Sequence, residues 1–143
     1  MHRIGNQLPC NQLISGLSQF IRTPLNTALI VGQRLELVCQ PDGNFTIREW
    51  KSQRSHIASS PIYGNWRQPR IEDRRFGFDI DNDSSVVIHL NSTELDDAGI
   101  YSCHIHAGTQ QPRHCSAHVI VFGRVCFLCC SALMLKHNLK FSA

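Results

Sequence analysis

Cys39, Trp50 and Cys103 occur in that order, and the run Asp97-Ala98-Gly99-Ile100-Tyr101-Ser102 leads directly into the second cysteine. Around these marks the chain alternates. Leu35, Leu37 and Cys39 are separated by charged or solvent-tolerant neighbours, which is the period-2 signal of a half-buried strand. Arg48-Glu49-Trp50-Lys51 reads as a second strand, with Trp50 inward and charges on either side. Val86 to Leu90 reads as a third, in which Ile88 and Leu90 share the core parity, followed by Ile100 to Ile105 and Cys115 to Phe122. Two sheets packed face to face gain from a large apolar plug between them, and Trp50 is placed to supply it.

In this combination the residues resemble the immunoglobulin superfamily from about Ala28 to Phe122, close to the ~100 residues that one such sandwich needs. The resemblance implies an all-β, immunoglobulin-like two-sheet Greek-key sandwich. The long stretch between Trp50 and Arg74 leaves room for extra edge strands, which favours a variable-like or intermediate type. The resemblance also implies a Cys39–Cys103 disulfide joining the sheets and a corner at which the Tyr101 hydroxyl bonds back to the backbone. Asp97 and Gly99 belong to the same corner, and Asp97 is expected to pair with Arg74 or Arg75 at the start of strand D. One departure stands out. Phe122-Gly123 comes at the end of the last strand with no second glycine after it, so antibody-style pairing through a Phe-Gly-x-Gly bulge is not implied.

At 143 residues the chain holds one such domain and not two. The expected division is an N-terminal extension over 1–27, the sandwich over 28–122 and an apolar, cysteine-rich tail over 123–143. A net charge of +3, with 14 basic residues scattered among 11 acidic ones, gives no basic run for nucleic acid. Nothing resembles a phosphate-cradling glycine loop. Cys103 and Asp97 are claimed by the fold and no Gly-x-Ser-x-Gly elbow appears, so no catalytic residue, metal or cofactor is expected.

The cysteines number 7, an odd count, so at least one thiol is free or pairs between chains. The pairing of Cys10, Cys115, Cys126, Cys129 and Cys130 stays open. Cys115 has inward parity, to be buried or to reach Cys10 if strand A runs beside strand G. Acceptor triplets begin at Asn44, Asn82 and Asn91, where about one would arise by chance. With a persistent disulfide, they point to the extracellular space or the plasma membrane.

The ends read less cleanly. Met1 to Cys10 lacks the apolar core of a signal peptide, so the chain reads either as a fragment of a larger precursor, which a fold suited to export favours, or as a product that never enters the secretory pathway. A poorly ordered leader is the expected reading of residues 1–27, with two alternatives: a short helix, since Leu13, Ile14, Leu17, Phe20 and Ile21 have helical spacing that Pro24 would end, and strand A over part of the stretch. Val125 to Leu135 is apolar but about half the ~20 residues a membrane span needs. Membrane association through acylated tail cysteines is the alternative, since Cys126, Cys129 and Cys130 lack a second ligand pair for zinc.

The expected function is protein recognition at the cell surface, as an adhesion module or receptor ectodomain. A secreted decoy and an intracellular structural module are the alternatives. The resemblance implies binding to another protein, or to a second copy, through the exposed face of strands G, F and C. Parity turns His104, His106, His114 and His118 outward, and a hairpin turning near Gln110 sets His106 opposite His114. The expected reading of these histidines is ordinary solvated strand residues, and a pH-sensitive or metal-binding face is the alternative. Tyr63 and Trp66, in the segment after strand C, are further partner-binding candidates.

Overall fold

In the computed structural model, residues 20–43, 47–61, 70–106, 113–124 and 140–141 are described. They form eleven strands: β1 (Phe20–Arg22), β2 (Thr27–Ile30), β3 (Leu35–Pro41), β4 (Ile47–Ser52), β5 (His56–Pro61), β6 (Arg70–Ile71), β7 (Phe76–Ile80), β8 (Val86–Leu90), β9 (Gly99–His106), β10 (Arg113–Phe122) and β11 (Lys140–Phe141). A single 3-10 turn, Leu95–Asp97, precedes β9. One sheet has the order β1-β3-β8-β7 and the other β11-β2-β10-β9-β4-β5-β6. All pairings are antiparallel except those of β2, which runs parallel to β10 on one side and to β11 on the other. The extra strands β5 and β6 extend the larger sheet beyond β4, as the long segment after Trp50 suggested.

Alternation builds the core. Leu35, Leu37 and Cys39 of β3 are buried while Glu36 is exposed, and Val86, Ile88 and Leu90 of β8 face them across the same sheet. From the larger sheet Trp50, Tyr101, Cys103, Ile105, Ala117 and Val119 point into the same space. Trp50 is fully buried, opposite Cys103 in the β4–β9 register. The Cys39–Cys103 disulfide ties the sheets with Cα atoms 6.4 Å apart, inside the usual range for such a bridge. Cys115 is also disulfide-bonded. Cys10, Cys126, Cys129 and Cys130 lie outside the described residues.

The corner before β9 closes one end. Tyr101 donates its hydroxyl to the Asp97 carbonyl at 2.8 Å, and burial followed by the neighbouring Asp97 charge pushes that phenol up to about 12. Asp97 is buried, accepts the Glu94 amide on Oδ2 at 2.7 Å and receives the guanidinium of Arg75. Of the two arginines the sequence offered, Arg75 is the partner. Gly99 has φ +148°, a conformation L side chains rarely adopt, and a Cβ there would meet Gln53 Oε1 at 3.1 Å.

Phe20 and Ile21, at helical spacing with residues upstream, lie in β1, which pairs with β3, as the strand A alternative for this stretch has it. A strand partner with open hydrogen bonds outweighs a weak local helical pattern. The tail returns to the sandwich at β11, which lies along β2 and so covers that sheet edge.

Candidate recognition face

The outward face of β4, β9 and β10 is built from the residues that alternate with the core. Glu49 and Lys51 come from β4, Ser102, His104 and His106 from β9, and His114, Ser116 and His118 from β10. Cross-strand register sets Glu49 beside His104 and Lys51 beside Ser102. On the other side of β9, His114 stands opposite His104 and Ser116 opposite Ser102.

This corrects the expected hairpin register. His114 pairs with His104 and not with His106, because Arg113 is aligned with Ile105. The His104 and His114 rings stack, with centroids 5.1 Å apart and planes 20° from parallel. His118 lies farther along β10 opposite Ile100, with its backbone N–H donating to Asn26 Oδ1 at 2.8 Å. The four histidines thus share a face without meeting at one point.

Glu49 is the electrostatic centre of the face. Lys51 Nζ lies 3.2 Å from its carboxylate, His106 Nε2 3.6 Å and His56 Nε2 4.0 Å. Burial works to raise the Glu49 pKa, but the Lys51 hydrogen bond and charge, with His106 and His56, outweigh it and leave it lowered. His56 also approaches Glu72, at 3.8 Å. Ser102 Oγ and His104 Nε2 are 2.8 Å apart.

His104 is half-buried, and burial first, then the charges of Lys51 and His114, hold its pKa down to about 4 from an ordinary 6.5, against a smaller pull from Glu49. The folded state therefore prefers the neutral imidazole. Stability from this site is fully present above about pH 6.5 and is lost as pH falls toward about 4, where the unfolded chain binds the extra proton. The expected loss is on the order of 1–2 kcal/mol, allowing for solvent screening of a half-exposed ring. Thermal melts between about pH 7 and pH 4 check it: His104→Gln should flatten that part of the profile, and an unchanged slope in the variant would refute the assignment.

Among the described residues no group of three His, Cys, Asp or Glu side chains could hold a metal ion. The stacking gives the reason at the centre of the face. Imidazole lone pairs lie in the ring plane, so two stacked rings do not aim them at an ion between them.

Tyr63, Trp66 and Asn44 lie outside the described residues. Asn82 and Asn91 are exposed in the turns before and after β8, on the smaller sheet and away from β9 and β10. Asn91 Oδ1 accepts from Arg34, while the Thr93 hydroxyl of the same triplet is buried and donates to the Gln33 carbonyl at 2.9 Å. The importance of Glu49 and His56 was not anticipated. Nor was the inward position of Arg48, although Arg48 shares the parity of Trp50.

No protein-family model matches the chain, and no curated protein matches it. Solved structures do. The structure of Dpr1 IG1 bound to DIP-eta IG1 superposes with a TM-score of 0.59 at 16% identity, covering 72% of this chain and 93% of that one. A chicken TCR gives 0.61 at 18% identity, over 72% of this chain and 50% of the other. The titin M3 domain gives 0.54 at 18%, over 71% and 93%. With the two-sheet order, the inter-sheet disulfide, the buried Trp50 and the Tyr101 corner, these likenesses establish that the chain has the immunoglobulin-like fold, of variable-like or intermediate type.

Proposed function

We propose that the chain is a noncatalytic recognition module of the extracellular space or cell surface, acting as an adhesion or receptor domain. It binds another protein, or a second copy of itself, through the outward face of β4, β9 and β10. The observation that carries this reading is the face itself. Glu49, Lys51, His104, His106 and His114 form a connected, partly desolvated polar network on three rigid adjacent strands. Preorganised side chains lose little freedom on binding, which favours affinity. Fold likeness to Dpr1 IG1, solved bound to DIP-eta IG1, lends support without identifying a partner. The disulfides favour an oxidising compartment, and the exposed Asn82 and Asn91 favour glycan attachment away from the face. The titin likeness keeps an intracellular structural module as the second reading, with reduced cysteines as its signature.

The test is binding of the full chain, secreted and multimerised on beads, to cell surfaces and to itself. Lys51→Glu with His114→Glu should weaken binding at least roughly tenfold, since like charges juxtaposed at an interface cost more than ~1.4 kcal/mol. Val87→Glu on the smaller sheet serves as the control and should bind as before. Equal binding by the face variant and the control would refute the face.

A further inference from the structure

The stacked imidazoles on the outward face have a chemistry of their own. His104 and His114 are register partners on adjacent antiparallel strands, with ring centroids 5.1 Å apart and planes 20° from parallel. That separation is close to the spacing of neighbouring strands, so the two rings stand on edge above the sheet and face each other across it. Two aromatic rings at such a distance and angle attract as an offset stack. The His104 ring is fixed twice over, by the stack and by the 2.8 Å contact between its Nε2 and Ser102 Oγ.

The two sides of this column differ. Beyond His104 lies β4, with Glu49 as the register partner. Beyond His114 the pairing stops. β2 joins β10 only from Val119 to Phe122, so among the described residues no strand runs beside 113–118. His104 is half-buried and His114 is exposed, and the outer ring face of His114 is the open end of the column. Charge decides what that end accepts. Lys51 is held by the Glu49 carboxylate at 3.2 Å, which His106 and His56 also approach, so an incoming carboxylate would compete with Glu49 for its cation. An incoming cation would add to Lys51 on a chain of net charge +3. Burial first, then the Lys51 charge, keeps the His104 imidazole neutral at neutral pH. A flat, uncharged ring surface is best matched by another.

We infer that the open face of His114 receives an uncharged aromatic side chain of a partner protein, which extends the His104–His114 stack by a third ring. Tyrosine and tryptophan suit this contact, since each brings a large rigid surface at little cost in side-chain freedom. The inference rests on the protein-recognition reading and names the chemistry of one of its contacts. Glu49 and Lys51 then form the polar rim on the β4 side, while the stack supplies the flat anchor point.

The experiment uses the full oxidised chain and, as probes, the N-acetyl amides of tyrosine, aspartic acid and lysine, so its first arm needs no partner. Ring protons of the histidines are followed by NMR. The tyrosine amide should move the His114 ring protons upfield in a saturable way and leave those of His118 in place. The two charged amides should give no saturable shift at His114. A silent tyrosine titration, equal shifts at His114 and His118, or a stronger response to a charged probe would overturn the inference. The second arm is the bead assay of partner binding. There His114→Ser should weaken binding by roughly threefold to tenfold, the worth of an aromatic pair, and His114→Phe should bind more tightly than wild type. A His114→Phe protein that binds as weakly as His114→Ser would overturn the inference, because the ring nitrogens and not the ring face would then make the contact. Loss of binding in Lys51→Glu with His114→Glu beside a silent titration overturns the stack alone and leaves the recognition reading in place. Equal binding by that variant and the Val87→Glu control overturns the reading itself.

Discussion

Truncating Trp50 to alanine is expected to destabilise the domain by about 3–5 kcal/mol, the usual cost of emptying an aromatic site in a close-packed core. The reason is position as well as size. Trp50 is wholly buried, opposite Cys103 in its own sheet, with Leu37, Cys39 and Ile88 supplied by the other. With about 5–15 kcal/mol of total stability in a domain of this kind, such a loss takes a large share. The indole Nε1 is buried and lacks a hydrogen-bond partner, so Trp50→Phe removes an unsatisfied donor along with some volume. That substitution should cost appreciably less than Trp50→Ala. Denaturant titrations check both, and a Trp50→Ala variant within about 1 kcal/mol of wild type would show that the plug does not hold the sheets together.

Removing the Cys39–Cys103 bridge is expected to be nearly as severe. The residues are separated by 64 positions, and closing a loop of that length restricts the unfolded chain by about 4 kcal/mol in the chain-entropy model. Reduction alone would also open the Cys115 disulfide. The double change Cys39→Ala with Cys103→Ala isolates the inter-sheet bridge and should lower the melting midpoint by more than about 10 °C. A drop of only a few degrees would mean that packing around Trp50 carries the inter-sheet contact without the covalent tie.

The parts of the fold legible in the sequence are those set by period-2 alternation and by residues with one structural use. Val86 to Leu90 is read to its ends because its inward residues are all large aliphatics. The corner is read because Tyr101, Asp97 and Gly99 each meet a distinct requirement: a hydroxyl reaching the Asp97 carbonyl, a buried acceptor and a positive φ. Arg48 was legible in principle, since it is two residues from Trp50, but an arginine on a core parity is ordinarily discounted. The His104–His114 stack was not legible. Parity assigns a face, whereas the partner across the strands depends on where the hairpin turns, and a shift of two residues preserves the face while exchanging His106 for His104. The β11 pairing with β2 depends on long-range chain return, which no local pattern encodes.

The account separates an interior that holds the fold from an exterior that binds, and paired measurements on the same samples test that separation. Thermal melts and surface binding are taken for Trp50→Ala and for Lys51→Glu with His114→Glu, in the full oxidised chain. The account predicts that the face variant melts within a few degrees of wild type yet loses binding, while Trp50→Ala melts far below wild type. Equal loss of folding from both would contradict it, because the outward network would then belong to the core's work and not to recognition.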